Sequence, residues 1–148
     1  MEKCIKIAAL YIATLRAMAL IHQRAHWLAK GNSFYGNHLL FERLYNSALE
    51  DLDLAAEKFI GVFDANCLTY ELQTELLSKV LSKYNNVEDD PVAMSMNIEK
   101  DFIKLSSDYY KILDEEGQLT LGVDDMISVI SSKREESVYL LKQTMEKE

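Results

Sequence analysis

Breaks in this chain are scarce. Its 148 residues include a single proline, Pro91, and five glycines. Pro and Gly are the strongest punctuators of local structure, so long uninterrupted segments must dominate, and segments of that length are helices rather than strands. Between the breaks, apolar residues return every three or four positions, as on one face of a helix. In the first segment, residues 4–30, the stripe runs Ile5, Ala8, Ile12, Leu15, Ala19, then His22 or His26. A second strip, Ile7, Tyr11, Met18 and Ile21, lies away from it. A helix apolar on two sides is buried on two sides, which predicts oligomerisation. Gly31-Asn32 ends this segment.

The second helix is predicted over 35–63, with Ser33 or Asn37 as its cap and Phe41, Leu44, Ala48, Leu52, Ala55, Phe59 and Val62 as its core stripe. The connection from 64 to 90 is long and holds an amphipathic piece, Thr69–Tyr84, followed by the polar run NNVEDD and Pro91 at a helix start. The third long helix, 91–116, presents Met94, Ile98, Phe102, Leu105, Tyr109 and Ile112. The fourth, 122–146, presents Met126, Val129 or Ile130, Val138, Leu141 and Met145. Together these predict one all-α domain over residues 1–148: a four-helix bundle with a crossover, and a short extra helix in the long connection between helices 2 and 3.

Hydrophobic residues make up 49% of the chain, enough for a core without disulfide or metal staples. The formal charge of −8 and the pI near 4.9 argue against a large phosphate-binding surface, which needs clustered Lys and Arg. Cys4 and Cys67 form no motif, which fits a reducing cytoplasm. Arg16 interrupts the apolar N-terminal region, which argues against a signal peptide. No uninterrupted apolar run approaches the ~20 residues that span a membrane.

The residues with metal chemistry concentrate between positions 26 and 57. His38, Glu42, Asp53 and Glu57 share one flank of the second helix: with His38 at 0°, the others fall at about 40°, 60° and 100°. The core stripe is centred roughly 130° from the middle of that flank. Glu42 and Asp53 are nevertheless about 16 Å apart along the axis, so no ion at ~2 Å ligand distances touches both. Positions 38 and 57 are symmetric about the point between Ser47 and Ala48, and so are 42 and 53. Antiparallel two-fold pairing of this helix would therefore set His38 and Glu42 against Glu57 and Asp53 of a second copy. It would form two equivalent sites about 22 Å apart, with Asn46 and Leu49 meeting across the two-fold. His26, near the end of the preceding helix, would add a fifth ligand. Imidazole with carboxylate suits Fe(II), with Zn or Mn as substitutes. The competing structural readings are helix-end capping for the histidines and solvated charge for Glu42 and Asp53 beside Arg43 and Lys58. The symmetric spacing weighs against them.

His26-Trp27, the turn at Gly31, Phe34, His38 and the acids at 42, 53 and 57 resemble the ferroxidase motif of the Dps-type mini-ferritins. The segment GVDDMISVISSKREESVYLLK, with Tyr139, is similar to the last helix of that family. The resemblance implies a ferritin-like bundle assembled from two-fold dimers into a shell of twelve. There Fe(II) is bound at the two-fold interfaces, oxidised by hydrogen peroxide or oxygen, and stored as ferric mineral, which protects against oxidative damage. His26, His38 and Glu42 would come from one subunit, Asp53 and Glu57 from its mate. Trp27 would lie near the site, or serve as a core or interface aromatic. Two departures stand out. Glu42 replaces the usual Asp, and the basic tail that many members use on DNA is missing, so the acidic chain is not expected to bind DNA. Glu116, Asp124 and Asp125 fall where relatives form acidic entry pores, though helix-end charges explain them equally well. His22 lies outside the motif and reads as a core-edge or interface polar group. The alternative function is a non-catalytic ferritin-like assembly or metal-binding scaffold.

Overall fold

The computed structural model describes residues 1–84 and 90–145. The helices are α1 (Glu2–Leu28), α2 (Phe34–Val62), α3 (Tyr70–Ser82), α4 (Pro91–Glu115) and α5 (Leu121–Met145), with one 3₁₀ turn at Ala65–Leu68. There is no strand among the described residues. All four long helices and the short extra one lie where the periodicity places them. The run NNVED, 85–89, lies outside the described residues.

Local chemistry explains most of the boundaries. Thr69, Asp90 and Thr120 each turn a side-chain oxygen onto a free N–H of the following helix, and Pro91 fills a position that needs no donor. Gly117 takes φ +69° after α4. The N–H of Gln118 then reaches the Leu113 carbonyl at 2.8 Å and that of Gly117 the Asp114 carbonyl at 3.1 Å, closing a Schellman motif. Ser33 precedes α2 but makes no side-chain cap, contrary to expectation, and Asn37 lies inside the helix.

The long helices form a ring in which α1 neighbours α2 and α4, and α5 neighbours α2 and α4. Helices α2 and α4 are diagonal, so the connection between them crosses the bundle, and α3 packs on the outside of α1. This arrangement corrects one expectation. Tyr11 and Met18, from the second apolar strip of α1, are fully buried within the subunit, and Ile21 nearly so. The own-chain helices cover both sides of α1, so its second strip carries no argument for assembly. By length and composition α1 could cross a membrane, yet 67% of its most apolar stretch is buried inside the bundle.

The core has two apolar parts. The larger contains the aromatic group Tyr11, Phe59, Phe102 and Tyr109, with ring centroids 4.7–6.0 Å apart. The smaller contains Ala25, Phe41, Leu44, Met96 and Leu141, at the end of the bundle where α1 meets the start of α2. In sequence, His22 on α1 and Arg134 on α5 fall between the two parts. Of the two alternatives in the α5 stripe Ile130 is the buried one and Val129 is exposed; Met145 is exposed too, and Val123, Ile127 and Arg134 are buried.

Candidate metal centre

Helices α1 and α2 present His26 and His38 face to face. The ring centroids are 3.7 Å apart and the planes differ by 19°. Each Nδ1 lies on the backbone carbonyl of the other residue, His26 Nδ1 at 2.7 Å from the His38 oxygen and His38 Nδ1 at 2.9 Å from the His26 oxygen. A carbonyl only accepts, so both Nδ1 atoms carry the proton and donate it. In the neutral rings both Nε2 lone pairs are then left for a ligand. Neither Nε2 has a hydrogen-bond partner among the described residues. Metal-binding histidines characteristically have their second nitrogen held in this way.

Ring geometry also bears on how many ions such a pair can hold. A metal bound to imidazole lies in the ring plane about 2 Å from the nitrogen. Two stacked planes this close to parallel do not meet within that reach. The pair is therefore suited to hold two ions, one on each ring, rather than to chelate one.

The carboxylates lie where the helical wheel sets them. Helix α2 runs unbroken through all 29 residues, so the offset of about 16 Å between Glu42 and Asp53 stands. Glu42 is half-buried, while Asp53 and Glu57 are exposed. None of the three carboxylates is engaged in a hydrogen bond or ion pair among the described residues. No three ligand-type side chains within the chain converge closely enough to hold an ion, again among the described residues. The same flank exposes Leu49 and Ile60, at 42% and 46%, beside Asn46. Next to it, Leu49, Leu52 and Asp53 line a groove of about 580 Å³ with Arg16 and Tyr70. Trp27 is 67% exposed, so within one subunit it is not a core residue.

The largest departure from expectation is a layer of buried polar residues. His22 is fully buried and belongs to the interior, not its edge. Its Nε2–H donates to Glu99 Oε1 at 2.9 Å, and the Ser95 hydroxyl donates to its Nδ1 at 2.9 Å. Arg134, also fully buried, lies 3.4 Å from Glu99 Oε1 and 3.6 Å from Asp51 Oδ2, and donates to Ser47 Oγ at 2.6 Å. Lys133 reaches Asp51 Oδ1 from the rim at 3.1 Å. Burial pushes the Asp51 carboxyl up against the pull of Arg134 and Lys133, and burial holds His22 below its ordinary value despite Glu99. A signal for this layer does exist in the sequence. Asp51, Glu99 and Arg134 stand at helical spacing from Ala48, Phe102 and Ile130, where an apolar residue would be expected.

No protein-family model matches the chain. It is 25% identical over 144 residues to general stress protein 20U of Bacillus subtilis (strain 168), across 95% of this chain and 96% of that one. Its structure is similar to Dps from Thermosynechococcus elongatus, with a TM-score of 0.83 at 17% identity over 99% of this chain and 92% of that one. It is also similar to the Dps protein from Vibrio cholerae O1, described as a member of a broad superfamily of ferritin-like diiron-carboxylate proteins. There the TM-score is 0.80 at 15% identity, over 98% of this chain and 90% of that one. Both matches run over nearly the whole chain, and the chain has the Dps-type ferritin-like fold.

Proposed function

We propose that this protein is an iron-oxidising mini-ferritin, a ferroxidase whose sites form between two copies of the chain. The observation that carries the reading is the His26–His38 pair, with both Nδ1 protons committed to carbonyls and both Nε2 atoms free. Two-fold pairing of α2 would add Glu42 from the same subunit and Asp53 and Glu57 from the mate. The exposed Leu49 and Ile60 on that flank favour burial against a second copy. The nitrogen and carboxylate donors suit Fe(II), the substrate, better than a thiophilic ion.

Each group has a distinct task. The imidazoles hold one ferrous ion each. The carboxylates neutralise ionic charge and favour the more highly charged Fe(III) product. Two ferrous ions supply the two electrons that cleave the O–O bond of one hydrogen peroxide, which leaves as two waters after taking up two protons. Paired delivery avoids the one-electron step that would release hydroxyl radical; oxygen is the other oxidant to be compared. The ferric product would be stored inside a shell of two-fold dimers, with twelve copies as the expected number, in the cytoplasm. The −8 charge favours cation uptake and disfavours DNA.

The test is anaerobic Fe(II) titration followed by peroxide, on the wild type and on His38→Ala and Asp53→Ala. Saturable Fe(II) binding with turnover in the wild type, lost in both variants, is expected. Turnover unchanged in either variant would overturn the assignment. A stable assembly that never oxidises iron would favour a non-catalytic scaffold.

A further inference from the structure

We propose that His26 and His38 are each other's positioning residue. Their paired imidazole–carbonyl bonds act as a clasp that closes the α1–α2 hairpin and, by the same contacts, poises both nitrogens for metal. The metal half of this statement rests on the ferroxidase reading; the clasp itself does not.

His26 lies in the last turn of α1, where carbonyls have no partner further along the helix. The His38 Nδ1–H supplies that missing donor, so His38 caps the C-terminus of α1 from the neighbouring helix. In return, His26 Nδ1–H is accepted by the His38 carbonyl, an oxygen with a second lone pair beyond its helical bond. The hairpin between them turns through Gly31 at φ +87°, a conformation that contributes little rigidity of its own.

The surroundings hold the pair from both sides. Phe34 lies against His38 at 5.2 Å between centroids with planes 26° apart, and the edge of Tyr45 meets His26 at 5.5 Å and 74°. A free imidazole chooses between two tautomers and several rotamers, and a metal ion must select one of each. Here that choice is made before metal arrives, which lowers the ordering cost of binding. Replacing either ring should therefore weaken metal binding at the other one, because the clasp has lost one bond and the stacking surface.

Two substitutions at position 38 separate the clasp from the ligand. His38→Ala removes the Nε2 ligand atom, the stacking face and the bond from Nδ1 to the His26 carbonyl, while the residue-38 carbonyl that accepts from His26 Nδ1 is backbone and stays. His38→Asn also removes Nε2, but its amide nitrogen lies near the former Nδ1 and can still donate to the His26 carbonyl. Nitrogen-15 NMR of labelled histidine in the metal-free protein reads the His26 tautomer. Co(II) titration followed by visible absorption reads the affinity left at His26. We expect a single Nδ1–H tautomer of His26 in the wild type and in His38→Asn, and a mixture in His38→Ala, where the residue-38 carbonyl remains but no side chain ties it to the end of α1. Co(II) should bind His38→Asn about 10- to 100-fold more tightly than His38→Ala. If the two variants match in tautomer and affinity, the clasp is refuted. Should His38→Ala fail to fold, the reciprocal pair His26→Ala and His26→Asn gives the same comparison, read at His38. The two proposals fail separately. A wild type that keeps the tautomer but oxidises no iron refutes the ferroxidase and not the clasp. An active wild type whose His38→Ala and His38→Asn forms match in His26 tautomer and in Co(II) affinity refutes the clasp alone.

Discussion

Two disabled versions of this chain should restore activity when mixed. One variant, His26→Ala/His38→Ala, lacks the nitrogen donors; the other, Asp53→Ala/Glu57→Ala, lacks the carboxylates attributed to the mate. Each alone forms dimers in which both sites are incomplete. Intramolecular rescue is ruled out, because α2 is one unbroken helix and Glu42 and Asp53 lie about 16 Å apart along it. In a mixed dimer, one site takes His26, His38 and Glu42 from the second variant and Asp53 and Glu57 from the first, and is complete. The other site retains only Glu42. Random pairing of equal amounts makes half the dimers mixed, with one complete site of two, so about a quarter of wild-type sites are expected. The assay is co-refolding, confirmation of mixed dimers by native mass spectrometry, and the initial rate of ferric product formation. A rate near one quarter of wild type, against background for each variant alone, is the expected outcome. Background activity in a sample shown to contain mixed dimers would refute the two-chain site.

The buried layer gives further predictions. Arg134→Met leaves Asp51 and Glu99 without their shared guanidinium and should cost about 3–5 kcal/mol in urea unfolding at neutral pH; a loss below 1 kcal/mol would contradict the role given to it. That loss should shrink in acid, where a buried carboxyl already pushed up by burial, as at Asp51, takes a proton readily. His22 is held below its ordinary value of 6.5, so the unfolded chain binds the proton first, and the stability present above pH 6.5 is lost as pH falls below it. His22→Gln should accordingly flatten the fall in urea midpoint between about pH 7 and pH 5, and equal slopes would count against the assignment. Phe59→Ala, which removes a fully buried ring packed on Tyr11 and Tyr109, should cost about 3–5 kcal/mol in the same assay.

Much of the fold is legible because helix periodicity is a local property. The stripe Phe41, Leu44, Ala48, Leu52, Ala55 and Phe59 is buried as the spacing requires. Residues that serve two helices at once were harder to read. Tyr11 and Met18 look like a surface for another copy until α2, α3 and α4 are seen to surround α1. Asp51, Glu99 and Arg134 read as ordinary charges in their own segments, since each is tolerable inside only because the others are there.

The same division runs through the candidate centre. Sequence alone determined that His38, Glu42, Asp53 and Glu57 share a flank and that one chain cannot gather them around one ion, because helix rise and rotation are fixed by backbone geometry. Spacing says nothing of which nitrogen carries a proton. That was decided by the tertiary structure, which brings the end of α1 against the start of α2 and sets each imidazole on the other residue's carbonyl. A proton goes where an acceptor lies within reach, and here both acceptors come from a different helix.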